Sequence, residues 1–213
     1  MKKKLSVLAA GAAAAFIACA GAAHADTLLG KNYVGGSLGM ISFGDDMDAF
    51  DDATSLKGFG NINLNANMDL ALSADYAWAD GKDMGIEVDT NSLSGGGDLV
   101  YFFRPNKRCN PYLKAGLAVI KSEVEASAFG VKVSEDDTNV GFGAGGGVEF
   151  EATKAILLRA GLDYFNVDSD DSVNVSGKLG YWFNPQILGF VGGAYDFDSE
   201  DKVGEIGMVF KLH

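Results

Sequence analysis

The chain is short of cysteine, histidine, positive charge and long hydrophobic runs, and each shortage excludes something. It has two cysteines and two histidines in 213 residues. Cys19 and His24 lie in an N-terminal stretch expected to be removed, and His213 is the last residue. Only Cys109 then remains, so no intramolecular disulfide can form. No histidine is left in the body of the chain to act as a positioned general base. Lysine and arginine number 17 against 29 aspartates and glutamates. Losing Lys2, Lys3 and Lys4 leaves 14 basic residues and a net charge of −15, which argues against nucleic acid or anionic lipid as a partner. Past the N-terminus no uninterrupted apolar run is long enough for a spanning helix. The nearest, Leu179 to Tyr195, is uncharged but broken by Asn184-Pro185-Gln186 and reads as two strands and a turn.

The N-terminus supplies the one apolar run. Met1-Lys2-Lys3-Lys4 is basic, Leu5 to Ala20 is apolar and Ala-rich, and Ala23-His24-Ala25 is a small-x-small cleavage site. Together they read as a secretory signal peptide over residues 1–25, cut after Ala25. A membrane-anchoring helix and a lipoprotein signal at Cys19 are the rivals. The first has too short an apolar stretch, and the second has Phe16 where such signals usually carry Leu. Residues 26–213 form one domain of 188 residues.

What that domain has is alternation. In Leu70-Ala71-Leu72-Ser73-Ala74-Asp75-Tyr76-Ala77-Trp78 the even positions are apolar and the odd ones small or acidic. A strand points successive side chains to opposite faces, so the segment has one apolar and one polar face. Ten such segments follow one another, at 32–43, 57–67, 69–80, 93–104, 111–122, 138–151, 154–166, 173–183, 187–197 and 203–212. Every second connection is short: Asn67-Met68, Arg104 to Asn110, Ala152-Thr153 and Asn184-Pro185-Gln186. The others are acidic and mostly longer, as at Gly44 to Leu56, Ala79 to Ser92 and Glu123 to Asp137. Tight turns at one end and longer loops at the other suit a barrel in an outer membrane, whose strand count is even. The expected fold is all-β, a transmembrane antiparallel up-and-down barrel of ten strands, with eight as the alternative.

The faces follow from parity. Val34, Leu38, Ile62, Leu64, Leu99, Leu117, Leu158, Leu162, Leu179 and Ile206 point outward. Tyr76, Trp78, Phe142, Tyr164 and Tyr195 gather at the outer rim. Tyr101, Phe103, Phe150, Tyr181, Phe183 and Phe210 gather at the inner rim. Two aromatic belts belong where amphipathic rings meet lipid headgroups, and a soluble sandwich has no use for them.

Several segments resemble the OmpA/OmpX-type small outer-membrane β-barrels, along nearly the whole mature chain. They are Tyr33-Val34-Gly35-Gly36-Ser37-Leu38-Gly39, Pro111 to Leu117, Gly141 to Phe150 and Leu157 to Tyr164. The C-terminus is similar to the assembly signal of such barrels at Glu205, Gly207, Phe210 and Leu212, with His213 where the family usually ends on an aromatic. The resemblance implies a bacterial outer-membrane location after export. It also implies outer-membrane lipid, lipopolysaccharide and the barrel-insertion machinery as partners.

Asp75, Asp98, Lys114, Glu149, Arg159, Asp163, Lys178, Asp196 and Glu205 fall on the inward face. They are candidates for a gate in the lumen, or for paired charges that satisfy a polar interior. Glu149 and Arg159 are expected as diagonal neighbours across their hairpin. Gly141, Gly143, Gly145 and Gly147 leave the inside of the sixth strand bare; either large inward residues such as Phe102, Phe165 and Trp182 fill the space or a thin water path remains. Gly141, Gly143 and Gly146 match a G-x-G-x-x-G pattern, but no helix or crossover follows, so a nucleotide site is excluded.

The acidic loops lack an EF-hand. From Asp168 the sixth and twelfth places hold Val173 and Leu179, and from Asp46 the twelfth holds Lys57. Weak divalent cations shared with lipopolysaccharide phosphates remain as candidate partners. Cys109, beside Lys107 and Arg108 in an expected turn, reads as an incidental free thiol. No cofactor, metal site or catalytic residue is expected. The function expected is a structural or cell-surface interaction role of a monomer through its acidic outer loops. A narrow, weakly cation-preferring porin-like channel is the alternative, and an enzyme ranks last.

Overall fold

A computed structural model describes residues 30–43, 52–83, 86–103, 109–128, 131–168 and 170–212. The signal-peptide cleavage residues Ala23 and Ala25, most of the Gly44 to Leu56 connection and His213 lie outside them.

Ten strands form a single closed antiparallel barrel in which each strand pairs with its sequence neighbours. They are β1 (Tyr33–Ser42), β2 (Ala53–Asn65), β3 (Met68–Asp83), β4 (Ile86–Phe102), β5 (Cys109–Ala128), β6 (Val131–Glu151), β7 (Ile156–Val167), β8 (Asp170–Asn184), β9 (Ile187–Asp196) and β10 (Lys202–Lys211). Closure is made by β1 on β10, from Tyr33 opposite Lys211 to Ser42 opposite Lys202. Closed pairing satisfies every strand edge inside the bilayer, where an unpaired amide has no water to turn to.

The short turns are closed by their own side chains. Asn184 Oδ1 accepts from the backbone N–H of Gln186 and Ile187 at 2.8 and 3.0 Å. Thr153 Oγ1 accepts from Ala155 and Ile156 at 3.2 and 3.0 Å. Asn65 Oδ1 accepts from Asn67 at 2.9 Å. These local bonds let the chain reverse in two to four residues.

Outward parity is borne out. Leu117 and Phe183 are each 65% exposed, and Leu38, Leu99, Leu162 and Ile206 are exposed with them. An apolar surface that encircles the molecule belongs against hydrocarbon, not water. The aromatic belts pair ring on ring. Tyr76 meets Trp78 and Phe142 meets Tyr164 at one rim, while Tyr101 meets Phe103 and Tyr181 meets Phe183 at the other.

Three expectations are corrected. Ala79 to Ser92 and Glu123 to Asp137 are not loops. Their described residues continue the ladders, so β3 to β6 run for 16, 17, 20 and 21 residues. The reason is that backbone pairing does not depend on side-chain type. Beyond the apolar band the alternation inverts: acid takes the outer face and small or apolar residues the inner one, as in Glu123-Val124-Glu125-Ala126, so the apolar outer stripe that marks a spanning strand disappears. Cys109 is the first residue of β5, opposite Phe150, and not part of a turn. Glu149 lies directly opposite Arg159 and not diagonally.

Candidate functional site

The inside of the barrel is layered. Toward the end that carries the termini lie Tyr33, Phe59, Leu188, Phe190 and Val209, with Ala71, Val100, Phe102 and Tyr112 beside them. Toward the other end lie Ile41, Ala53, Ala77, Ala79 and Val203, with Ile120, Phe165 and Val167. Phe102, Leu188, Ile41 and Val209 are all 0% exposed. The expectation of a polar interior therefore holds for its middle only. Inward apolar residues at strand ends, where parity is hardest to read, close it above and below.

The middle layer gathers the charges expected inside except Asp196, which ends β9 and instead accepts from Ser172 Oγ and from the backbone N–H groups of Asp198 and Ser199. Asp75, Asp98, Lys114, Glu149, Arg159, Asp163 and Lys178 are all buried, none more than 8% exposed. Charges so far from water must be paired, and they are. Lys114 Nζ lies 3.0 Å from Asp163 Oδ2 and Lys178 Nζ lies 2.9 Å from Glu205 Oε1. Lys57 Nζ lies 3.5 Å from Asp75 Oδ2, and Ser37 Oγ donates to Glu205 Oε2 at 3.1 Å. Arg159 Nε donates to Tyr112 Oη at 2.9 Å, and its guanidinium stands 4.5 Å from that ring's centroid, within cation–π reach.

Two of these pairs share one construction. Lys114, Gly145 and Asp163 lie on one rung across β5, β6 and β7. Lys178, Gly192 and Glu205 lie on one rung across β8, β9 and β10. Each lysine reaches over a bare glycine to a carboxylate two strands away. A Cβ on Gly192 would stand 2.9 Å from Lys178 Cγ and 3.2 Å from Glu205 Oε1. The space above β6 is filled the same way. Phe165 Cε1 would lie 2.5 Å from a Cβ on Gly143, and Tyr112 Oη 2.6 Å from one on Gly147. The glycine row is thus a floor for its neighbours' side chains. Beside the Lys57–Asp75 pair a cavity of about 10 Å³ remains, bordered by Ser37, Ser55 and Glu205. That is room for about one water molecule.

Sequence reasoning missed Lys57 and Asp69. Asp69 accepts from Asn61 Nδ2 at 2.7 Å and from Asn63 Nδ2 at 2.9 Å. The parity of Ile62 and Leu64 already places Lys57 inward. Its position at the edge of a segment concealed it. The C-terminal residues divide by face. Glu205 and Gly207 point in, Phe210 and Leu212 point out, and the Leu212 N–H donates to Asn32 O at 2.9 Å.

The second candidate is the wall raised by β3 to β6. On its outer face Asp80 is opposite Asp89, Asp89 opposite Glu125, and Glu123 opposite Asp136. Like charges facing each other across a ladder cost stability, and Lys121, two residues from Glu123 on the same face of β5, stands among them. Among the described residues no cluster of three or more acidic, histidine or cysteine side chains has metal-binding geometry.

At the rim, Asp171 accepts from Tyr164 Oη at 2.6 Å and from Asn166 Nδ2 at 2.5 Å. The Tyr164 bond first, and the Asn166 bond second, hold its carboxyl below the usual carboxylate range. A lowered folded value means the clasp is complete above the ordinary aspartate pKa of about 3.9 and is lost as pH falls through the lowered value. The Tyr164 ring resonances of detergent-solubilised protein should therefore titrate with a midpoint below that of a free aspartate. A midpoint at or above the free value would dismiss the clasp.

A family model for the outer membrane protein β-barrel domain matches residues 11–183. No curated protein matches in sequence. Among solved structures, the translocator domain of autotransporter NalP from Neisseria meningitidis is 9% identical, covers 93% of each chain and has a TM-score of 0.55. The outer membrane protease OmpT from Escherichia coli is 11% identical over 85% of this chain and 94% of its own, with a TM-score of 0.53. Ail, the attachment invasion locus protein of Yersinia pestis, is 16% identical over 85% and 97%, with a TM-score of 0.45. At such identities the likeness is one of fold.

Proposed function

We propose a cell-surface role for this chain, which belongs to the outer membrane protein β-barrel domain family. The barrel is the anchor, and the acidic wall of β3 to β6 is the part offered to partners. The observation that carries this reading is the contrast between the two ends of the same strands. Inside the bilayer their inward side chains meet in buried pairs and apolar layers. Above it the outer face of the same rigid sheet carries an excess of acid. Function tends to sit on exposed segments that a rigid scaffold positions. The luminal charges then act as struts that tie strands together, and not as a gate.

Export through the signal peptide, insertion guided by Glu205, Gly207, Phe210 and Leu212, and a monomeric state complete the proposal. Weak divalent cations bridging the wall to lipopolysaccharide phosphates fit its charge. A narrow cation-preferring channel is the second reading, favoured by the acidic excess of the wall. A hydrolytic role is last, since the strands contain no histidine. Planar-bilayer recording of the refolded barrel decides between the first two. No conductance steps are expected. Discrete steps that change with Arg159→Glu would overturn the closed-lumen reading in favour of the channel.

A further inference from the structure

The wall ends in a free edge. The pairing of β6 with β7 stops at Gly141 opposite Val167, while β6 goes on pairing with β5 up to Val131. No described strand lies against the other side of Val131–Val140. Ten residues of extended chain at about 3.4 Å each give roughly 34 Å of edge. Strand edges of this length invite another strand unless they are blocked. The segment has no proline and no bulge. Asp137 guards part of it, its Oδ1 accepting from the Thr138 N–H at 2.8 Å. That bond also fixes the direction of the others. Amides of alternate residues point the same way, so the N–H groups of Ser134 and Asp136 face the open side with that of Thr138. The side chains around them are Glu135, Asp136 and Asp137, with Glu123 on the strand behind; Lys132 in the segment and Lys121 opposite Thr138 leave the balance acidic.

We propose that the Val131–Val140 edge of β6 is a docking site for an extended, basic peptide segment of another protein, added as a further strand beside it. The inference rests on the surface-interaction reading above and names its site and partner class. Backbone hydrogen bonds supply the attachment, and alternate lysine or arginine side chains meet the carboxylates of the outer face. Charge selects against a second copy of this chain, whose own edge would bring acid against acid.

The test uses the full mature chain in nanodiscs and a ten-residue peptide of alternating lysine and valine. The peptide is expected to bind in a salt-dependent way and to slow hydrogen exchange at Ser134, Asp136 and Thr138 by at least about tenfold, which is 1.4 kcal/mol. Ser134→Pro and Asp136→Pro remove only N–H groups that face away from β5, so the barrel should still form. Each should weaken binding about tenfold. A peptide N-methylated at alternate residues should bind as poorly to the unmodified protein, which keeps the test open even if a proline variant fails to fold. An alternating glutamate–valine peptide should not bind. Equal binding by the methylated peptide would overturn the edge site while leaving a charge-driven surface role standing. No binding of any peptide, or pairing of two copies through this segment, would overturn it as well. Conductance steps would instead remove the reading beneath it.

Discussion

Replacing Lys114 with methionine is expected to destabilise the folded barrel by about 3–5 kcal/mol. The side chains of Lys114 and Asp163 are each 3% exposed, and their charged ends are 3.0 Å apart. Asp98 lies within the field of Lys114, Arg159 and Asp163, and Glu149 stands opposite Arg159. Taking away Lys114 leaves the carboxylates of this cluster with one arginine between them, in a space that water does not reach. The cost is that of an uncompensated buried charge and not of one lost contact. The pair itself is a different matter. Lys114→Met combined with Asp163→Leu removes both charges and keeps the volume, and should recover most of the loss. Urea unfolding in detergent, followed by tryptophan fluorescence, measures both variants. A single variant as stable as the parent would show that the lumen is wetter than its burial indicates, and the strut reading would fall with it.

Gly145→Val should abolish refolding altogether. A Cβ at Gly145 would collide with Asp163 Oδ1 and stand 2.7 Å from the Leu162 carbonyl oxygen. The carbonyl belongs to a ladder and cannot withdraw. The carboxylate can move only by leaving Lys114. Overpacking costs about 1–3 kcal/mol, and breaking the pair adds about 3–5. The sum rivals the about 5–15 kcal/mol that holds a typical fold. The control is Gly58→Val. Gly58 faces outward with nothing within 4 Å of its Cβ position, and valine suits a strand in lipid. The compact, heat-sensitive band of folded barrel on an unboiled SDS gel should persist for Gly58→Val and vanish for Gly145→Val. If both variants fold alike, β6 does not need its bare inner face.

Much of this molecule can be read from its residues in order. Alternation such as Leu70 to Trp78 fixes which face meets lipid, because the two-residue period of a strand leaves no freedom once one face is apolar. Tight turns with Asn, Pro and Thr mark one end. The even count of segments brings both termini there. The inward charges were legible too, since parity alone puts Asp75 and Arg159 on one side of their strands. What parity cannot supply is partnership. The meeting of Lys114 with Asp163 depends on β5, β6 and β7 closing in a register that sets Gly145 between them.

The ends of the strands were the least legible. Beyond the apolar band the outer positions turn acidic, and Glu123 to Asp137 looks like a loop in sequence although its described backbone is paired. Ladder hydrogen bonds are made by the main chain, which every residue carries alike.

The sequence by itself determined that this is a lipid-facing barrel with charge turned inward, and it favoured ten strands over eight. Only the tertiary structure decided that the charges are closed off between apolar layers and that one strand outruns its neighbour to leave an edge. The physical reason is that face is a property of one strand, whereas pairing, filling and exposure of an edge are properties of at least two.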